Sequence, residues 1–331
     1  MVDFSYQTGF GNHFETEADP GVLPVGQNSP QKVKGGLFTE QITGTAFTAP
    51  RSSMRRSWVY RTRPSVRHFS NLQPIDNGLI RTGPDEESVS APVQLRWDPF
   101  PASSLKTNWL TGLTTVATNG SNEMQTGGAV HHFVATDSME DLAFVDTDGE
   151  LMLVPYDGRL VVRTEMGHIH VAPGYLAVIP RGVKFAVDLL DSTARGYVCE
   201  NYGPAFDLPE HGLLGPDANA LPRDFEYPVA SYDAGDSATK LVAKISGQLY
   251  ATDLEHSPFD VVAWHGNLSP YRYELRRFCA VGPVIFDHPD PSIWTLLSSA
   301  SDTSGTANID FILFREHWRV AEHTFRPPWF H

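Results

Sequence analysis

Apolar and polar positions alternate along this chain in short bursts, and the middle of the sequence carries the clearest of them. Phe144-Val145 and Leu151-Met152-Leu153-Val154 flank Asp148-Gly149, and Leu160-Val161-Val162 follows Asp157-Gly158. An Asp-Gly pair between apolar runs supplies the positive φ angles of a tight turn, so this pattern predicts two successive hairpins. Gly167-His168-Ile169-His170-Val171 then turns at Ala172-Pro173-Gly174 into Tyr175-Leu176-Ala177-Val178-Ile179. Upstream, Trp58 and Tyr60 alternate with Val59 and Arg61, and Val93, Leu95 and Trp97 alternate with Gln94 and Arg96, so both stretches predict strands. Lys240 to Ala251 fits a strand or a helix. Val284-Ile285-Phe286, Ile293 to Leu297 and Phe311 to Phe314 resume the strand pattern. The first fifty residues, rich in Gly, Asn, Pro and Thr, predict an ordered but irregular arm. Residues 203–235, which hold Pro204, Pro209, Pro216, Pro222 and Pro228, predict a long connection. Short strands in series with turn residues between them point to an antiparallel sandwich or barrel.

Composition sharpens this picture. Gly 27 and Pro 25 make up about 16% of the 331 residues, above the ~12% of ordinary proteins, as many short turns require. Hydrophobic content of 41% suits a soluble globular chain with a sizeable core, as one large domain or two. The net charge of −14 repels phosphate backbones and anionic lipid, which argues against nucleic-acid and membrane partners. Cys199 and Cys279 do not make a disulfide framework. The N-terminus lacks the basic and apolar regions of a signal peptide, and no apolar run approaches ~18 residues, so the expected location is the cytoplasm. The run of Arg51, Arg55, Arg56, Arg61, Arg63 and Arg67 favours ion pairing over anion binding in so acidic a chain. Gly9-x-Gly11 is no dinucleotide loop, because Phe14 stands at the third glycine position and no strand precedes it.

Several histidines are candidates for chemistry. His168 and His170 are two apart and therefore share one strand face, where a hydrogen-bonded pair is favoured over a metal chelate. His265, in Ala263-Trp264-His265-Gly266, reads as a buried, hydrogen-bonded side chain. Gly174-x5-Pro180-x-Gly182-x2-Phe185 resembles the second motif of the cupin jelly rolls, in which the side chain after the turn points into the barrel. Metal-binding cupins have His there. Phe185 has no lone pair to give, and His131-His132 followed by Glu140 is a degenerate version of the earlier motif. Near the C-terminus, Asp287-His288-Pro289 fixes a histidine in an extended setting, since proline restricts the residue before it. A His of ordinary pKa suits proton transfer at neutral pH. His317, Glu322 and His323 precede His331, and read as a solvated loop rim.

Seven long ungapped segments together resemble the homogentisate 1,2-dioxygenase family: Tyr6 to Asn12, Leu23 to Pro30, Glu40 to Arg51, Arg56 to Arg61, Ser257 to Asn267, Phe286 to Ser292 and Thr324 to His331. The resemblance implies a mostly β, cupin-like jelly-roll sandwich over residues 1–280. It implies the opening strands of an incomplete C-terminal cupin domain over 281–331. It implies Fe(II) as cofactor, homogentisate and O2 as substrates, maleylacetoacetate as product in tyrosine and phenylalanine breakdown, and a homohexamer built as a dimer of trimers. By the same resemblance His331 falls on the first iron ligand and His288 on the residue that deprotonates the substrate's ring hydroxyl. The family's next two ligands, a Glu and a second His, match positions past residue 331, so a chain ending there is expected to be inactive. The alternative expectation, supported by Phe185, is a metal-free cupin acting as a binding or assembly module.

Overall fold

The computed structural model describes residues 4–84, 93, 106–209, 219–279 and 294–314. The N-terminal arm supplies five strands: β1 (Tyr6–Thr8), β2 (Phe14–Glu17), β3 (Phe38–Thr43), β4 (Arg56–Arg61) and β5 (Gln73–Pro74). Then come β6 (Leu113–Ser121), β7 (Thr126–Ala135), β8 (Leu142–Asp146), β9 (Glu150–Asp157), β10 (Leu160–Thr164) and β11 (Gly167–Val171). The middle closes with β12 (Tyr175–Ile179), β13 (Phe185–Leu189) and β14 (Ala194–Asn201). They are followed by β15 (Phe225–Pro228), β16 (Thr239–Ile245), β17 (Gln248–Leu254), β18 (Val261–Gly266) and β19 (Tyr271–Glu274), and lastly by β20 (Thr295–Ala300) and β21 (Ala307–Ile312).

Two large sheets form the body. One has the order β1-β15-β19-β12-β9-β14-β7-β6, the other β11-β10-β13-β8-β16-β17-β5. Their shared centre is the eight consecutive strands β7 to β14. In the first sheet these lie as β12-β9-β14-β7 and in the second as β11-β10-β13-β8, which is the interleaved strand order of a jelly roll. The fold is therefore mostly β and cupin-like, as the sequence implies. Two smaller sheets complete it: β2-β18-β4-β3, and the β20-β21 hairpin.

This order overturns the two predicted Asp-Gly hairpins. β8 pairs with β13 and β16, while β9 pairs with β12 and β14, so Asp148-Gly149 carries the chain from one sheet to the other. Asp157-Gly158 does the same between β9 and β10. A tight turn reverses or redirects a chain equally well, and the choice belongs to the sheets. Gly149 is present for close approach: a Cβ there would lie 2.6 Å from the Glu200 Cγ. Local hairpins lie elsewhere, among them β6-β7, β10-β11, β16-β17 and β20-β21. The β16-β17 hairpin resolves the Lys240 to Ala251 ambiguity as two strands, joined by Ser246 (φ 48°) and Gly247 (φ 80°), both in the left-handed region that a two-residue hairpin turn demands.

The arm is less irregular than expected, because β1 extends the first sheet on β15 and β2 and β4 pair on either side of β18. Likewise β15 interrupts the expected 203–235 connection. The predicted strand at Val93, Leu95 and Trp97 lies outside the described residues except for Val93, and Val284 to Phe286 lies wholly outside them.

Between the sheets the side chains are large and tightly fitted. Phe185 is fully buried, with its ring centroid 5.2 Å from Trp109 and 5.6 Å from Phe144, both edge-on. Phe133 completes this aromatic group against Trp109. Such edge-to-face pairs add to area burial because the positive ring edge meets the negative ring face.

Candidate functional site

The position at which metal-binding cupins carry a histidine is occupied by Phe185, among aromatic rings, as its motif predicts. Polar chemistry lies instead at one end of the same interior. On β7 the inward residues are Ala129, His131, Phe133 and Ala135, all buried. On β14 Glu200 follows Val198 in the inward register, on β8 Asp146 follows Phe144, and on β16 Lys244 follows Val242. Alternation along each strand thus delivers one ionisable side chain per strand to the same end of the barrel.

Lys244 is the centre of this group. Its Nζ binds the Glu200 Oε1 in a short contact and lies 3.3 Å from the Asp148 Oδ2 and 3.9 Å from the Asp146 Oδ2. Glu200 Oε2 is 3.0 Å from His131 Nε2, and Thr115 Oγ1 lies 2.9 Å from His131 Nδ1. Burial and the Lys244 charge push His131 down to about 4, so it is neutral at pH 7. A neutral ring that donates from Nε2 to Glu200 and accepts at Nδ1 from Thr115 satisfies both contacts. The aspartates also hold backbone: Asp146 Oδ1 accepts from the Asp148 and Gly149 amides, and Asp148 accepts from Ser246 and Gly247. Burial, reinforced by Glu200, raises the Asp146 carboxyl above its ordinary range.

Asp146, Asp148 and Glu200 bring oxygens within 4.8 Å of one another, an arrangement able to hold a hard cation, and among the described residues no other such cluster occurs. The donor set does not fit Fe(II) bound by two histidines and one carboxylate. An ammonium already stands among the oxygens, and the neighbouring His131 gives its ring nitrogens to Glu200 and Thr115.

A second charged group joins the β2-β18-β4-β3 sheet to the barrel. Arg61 is 2% exposed and reaches Glu40 (2.8 Å), Glu165 (2.6 Å) and Asp260 (3.0 Å). Lys184 lies 3.1 Å from Glu165. Burial alone would raise Glu165, but Arg61 and Lys184 hold it down, at about 2. Arg55 pairs with Asp207 and Arg63 with Asp236, so this part of the arginine run is engaged in ion pairs as its setting predicts.

A cleft of about 500 Å³ lies between the arm, the rim of the jelly roll and the β20-β21 loop. Glu150 and Arg181 line it, and beyond Glu150 opens a chamber of about 20 Å³ faced by Tyr227 and Tyr271. Glu150 is 5% exposed, and burial pushes its carboxyl up to about 7 although the Phe206 amide donates to it at 2.7 Å.

His288 and His331 lie outside the described residues, as do His317, Glu322 and His323. His168 and His170 sit on one face of β11 beside the Phe4 ring, 6.3 and 6.5 Å away, with no third ligand among the described residues. His265 Nε2 is 3.1 Å from the Tyr60 hydroxyl, hydrogen-bonded as expected but half-buried. His131 and His132 point to opposite faces, the latter to the Tyr156 hydroxyl at 2.5 Å, and Glu140 is exposed. Cys199 and Cys279 form no disulfide. The Lys244 group and Glu150 are absent from the sequence-based expectations. The available signal was a lone charge at an inward register position, such as Lys244 within Leu241-Val242-Ala243-Lys244-Ile245.

Comparison with known proteins matches residues 5–275 to the family described as homogentisate 1,2-dioxygenase N-terminal and residues 276–331 to homogentisate 1,2-dioxygenase C-terminal. Homogentisate 1,2-dioxygenase of Rhodopseudomonas palustris strain BisB18 is 54% identical over 326 residues, 98% of this chain and 73% of that protein. The protein of that name from Bradyrhizobium diazoefficiens is 52% identical over 331 residues, 100% of this chain and 74% of that protein. Among solved structures, a cupin 2 conserved barrel domain protein from Leptotrichia buccalis overlaps 51% of this chain and 88% of its own, at 9% identity and a TM-score of 0.25. That overlap is too loose to bear on the fold, which the strand order itself defines.

Proposed function

The chain belongs to the homogentisate 1,2-dioxygenase family, and from that membership we propose that it serves Fe(II)-dependent opening of the homogentisate ring by O2 to give maleylacetoacetate, a step of tyrosine and phenylalanine breakdown. The observation that carries this reading is the identity of 52–54% sustained over nearly the whole chain. In this proposal His288 accepts the proton of the substrate's ring hydroxyl, and His331 is one iron ligand. Iron would supply the open positions at which a deprotonated phenol and O2 meet, because ground-state O2 reacts slowly with closed-shell molecules. No cluster among the described residues fits that ion.

What the chain's own residues contribute is clearer for the scaffold. The jelly roll of β7 to β14, closed by aromatic rings and by Lys244, supports a metal-free N-terminal domain, residues 1–280. Residues 281–331 then open the domain that carries the chemistry. β20 and β21 dock on the first domain: Asn308 Nδ2 donates to Asn201 Oδ1 and to the Gly127 carbonyl, both at 2.9 Å, and Ser299 Oγ donates to the Pro204 carbonyl at 2.6 Å. The proposal extends to a homohexamer, a dimer of trimers, working in the cytoplasm. Among the described residues no helix is long and apolar enough to cross a membrane.

The test is aerobic incubation with Fe(II) and homogentisate of a form that carries the family's full set of iron ligands, following maleylacetoacetate by absorbance. Substituting His288→Gln is expected to lower kcat by about 10²-fold or more, the usual scale of general base catalysis, with homogentisate still bound. Absence of product from that iron-loaded form, or an unimpaired variant, overturns the reading. Light scattering reads the proposed hexamer.

A further inference from the structure

The 500 Å³ cleft is lined by an arginine whose guanidinium is only partly engaged among the described residues. Arg181 directs its Nη2 to the carbonyls of Tyr202 (2.8 Å) and Gly203 (3.4 Å), which pins the guanidinium. Its Nε is buried and has no partner among the described residues. Glu150 lines the same cleft, with one carboxylate oxygen held by the Phe206 amide. Behind it the Tyr271 hydroxyl, buried and also without a partner, faces the adjoining chamber. A buried donor left unmet is costly, so the pair marks a place where a ligand or water belongs.

We propose that this cleft is a binding site for a small organic carboxylate, whose oxygens accept from the Arg181 guanidinium and lie against the Glu150 carboxyl. The volume admits a molecule the size of a single substituted ring, within the range of small-molecule sites. Pro180, Ala205 and Leu268 give the hydrocarbon part an apolar wall, while Thr43 and Gln125 line the polar side. A phosphate suits the site poorly, because it brings up to two charges beside Glu150. A carboxylate beside a carboxyl shares one proton with it, since two like charges at contact distance cannot both persist.

Binding is therefore linked to protonation of Glu150. The groups that face it are Arg181 beyond β12, Arg55 ahead of β4, Asp207 beyond β14, Cys199 on β14, Tyr227 on β15 and Tyr271 on β19. With the carboxyl titrating at about 7, its protonated share falls roughly tenfold between pH 6 and pH 8. An anionic ligand that requires the protonated form weakens by the same factor over that interval.

Benzoate is a suitable probe, being fully ionised at both pH values. Calorimetric titration of the whole 331-residue chain, without added iron, is expected to show benzoate binding about tenfold tighter at pH 6 than at pH 8. Glu150→Gln keeps an acceptor for the Phe206 amide and is expected to bind with no such pH dependence. Arg181→Gln is expected to weaken binding at least tenfold. Ala46→Trp fills the exposed side of the cleft away from the core and is expected to abolish binding while leaving the melting curve intact. Absence of binding to the folded parent, unchanged binding in Ala46→Trp, or a pH slope that survives in Glu150→Gln each overturns the proposal. None of these readouts depends on ring cleavage, so this site and the oxygenase reading fail separately.

Discussion

Substituting Lys244→Met keeps much of the side chain's length and removes its charge. The ammonium is 2% exposed and is the counter-ion of three carboxylates. At an effective dielectric of 20, a unit-charge pair at 3.3 Å is worth about 5 kcal/mol and one at 3.9 Å about 4, before the cost of taking the ions from water. That cost is several kcal/mol per ion, and removing one partner of a buried pair typically destabilises by about 3–5 kcal/mol net. For a 331-residue chain, ~2.1 cal/mol/K per residue gives an unfolding entropy of about 0.7 kcal/mol/K, so Tm is expected to fall by about 4–7 °C. The pH dependence separates this account from simple loss of packing. The carboxylates left behind are raised in the folded state, by burial first and by one another second, as Asp146 already is. A carboxyl raised on folding binds a proton more tightly in the folded than in the unfolded chain. Its contribution is present at low pH and is lost as pH rises through the folded value. The deficit of the variant is therefore expected to be smallest near pH 5 and largest near pH 9. Urea titrations of parent and variant at pH 5, 7 and 9 read this directly. A variant within about 1 kcal/mol of the parent at pH 9, or a deficit that grows on acidification, would refute the electrostatic reasoning.

Three further outcomes follow from the same structure. Phe185→Ala opens a void between Trp109 and Phe144 and is expected to cost about 3–5 kcal/mol in urea unfolding, whereas Phe185→Leu costs well under half as much. Glu165→Gln frees Arg61 and Lys184 of a buried partner and is expected to destabilise by about 3–5 kcal/mol at pH 7. Because the Glu165 carboxyl sits at about 2, below its ordinary value, its contribution is complete above about pH 4.5. The gap between parent and variant therefore closes as pH falls towards 2, and a gap constant over that range contradicts the assignment. Gly158→Ala is expected to lower Tm by several degrees, since φ is +75° there and a Cβ would stand 2.1 Å from the Thr193 carbonyl oxygen; an unchanged Tm contradicts that geometry.

Strand existence was legible in the sequence because burial on one face writes itself as alternation. Phe144, Leu151 to Val154, Leu160 to Val162, His168 to His170 and Tyr175 to Ile179 all fall in strands. Pairing was not legible, because it depends on partners far away in the chain. Asp148-Gly149 and Asp157-Gly158 look like hairpin turns, yet each joins opposite sheets. Phe185 was readable as an inward barrel position because its motif fixes both the turn and the direction of the side chain. Lys244 was not, since the meaning of its charge arises only when β8, β14 and β16 bring Asp146, Asp148 and Glu200 to it. His288 and His331 were singled out from family segments, and their setting lies outside the described residues.

The strand pairing also sets a timetable for biosynthesis. Tyr6 to Thr8 hydrogen-bond to Glu226 to Pro228, and Phe14 to Glu17 to Ala263 to Gly266, so the first strands to leave the ribosome close the last edges. At about 5–20 residues per second, the partner of Tyr6 emerges roughly 10–45 s after it. Over that interval the N-terminal strands have no place in a sheet, and their apolar residues Phe10 and Phe14 lack the tyrosine and phenylalanine rings that later cover them. Nascent-chain protease protection is therefore expected to reach residues 106–201 first, where β7 to β14 already form a complete barrel, and to reach the N-terminus last.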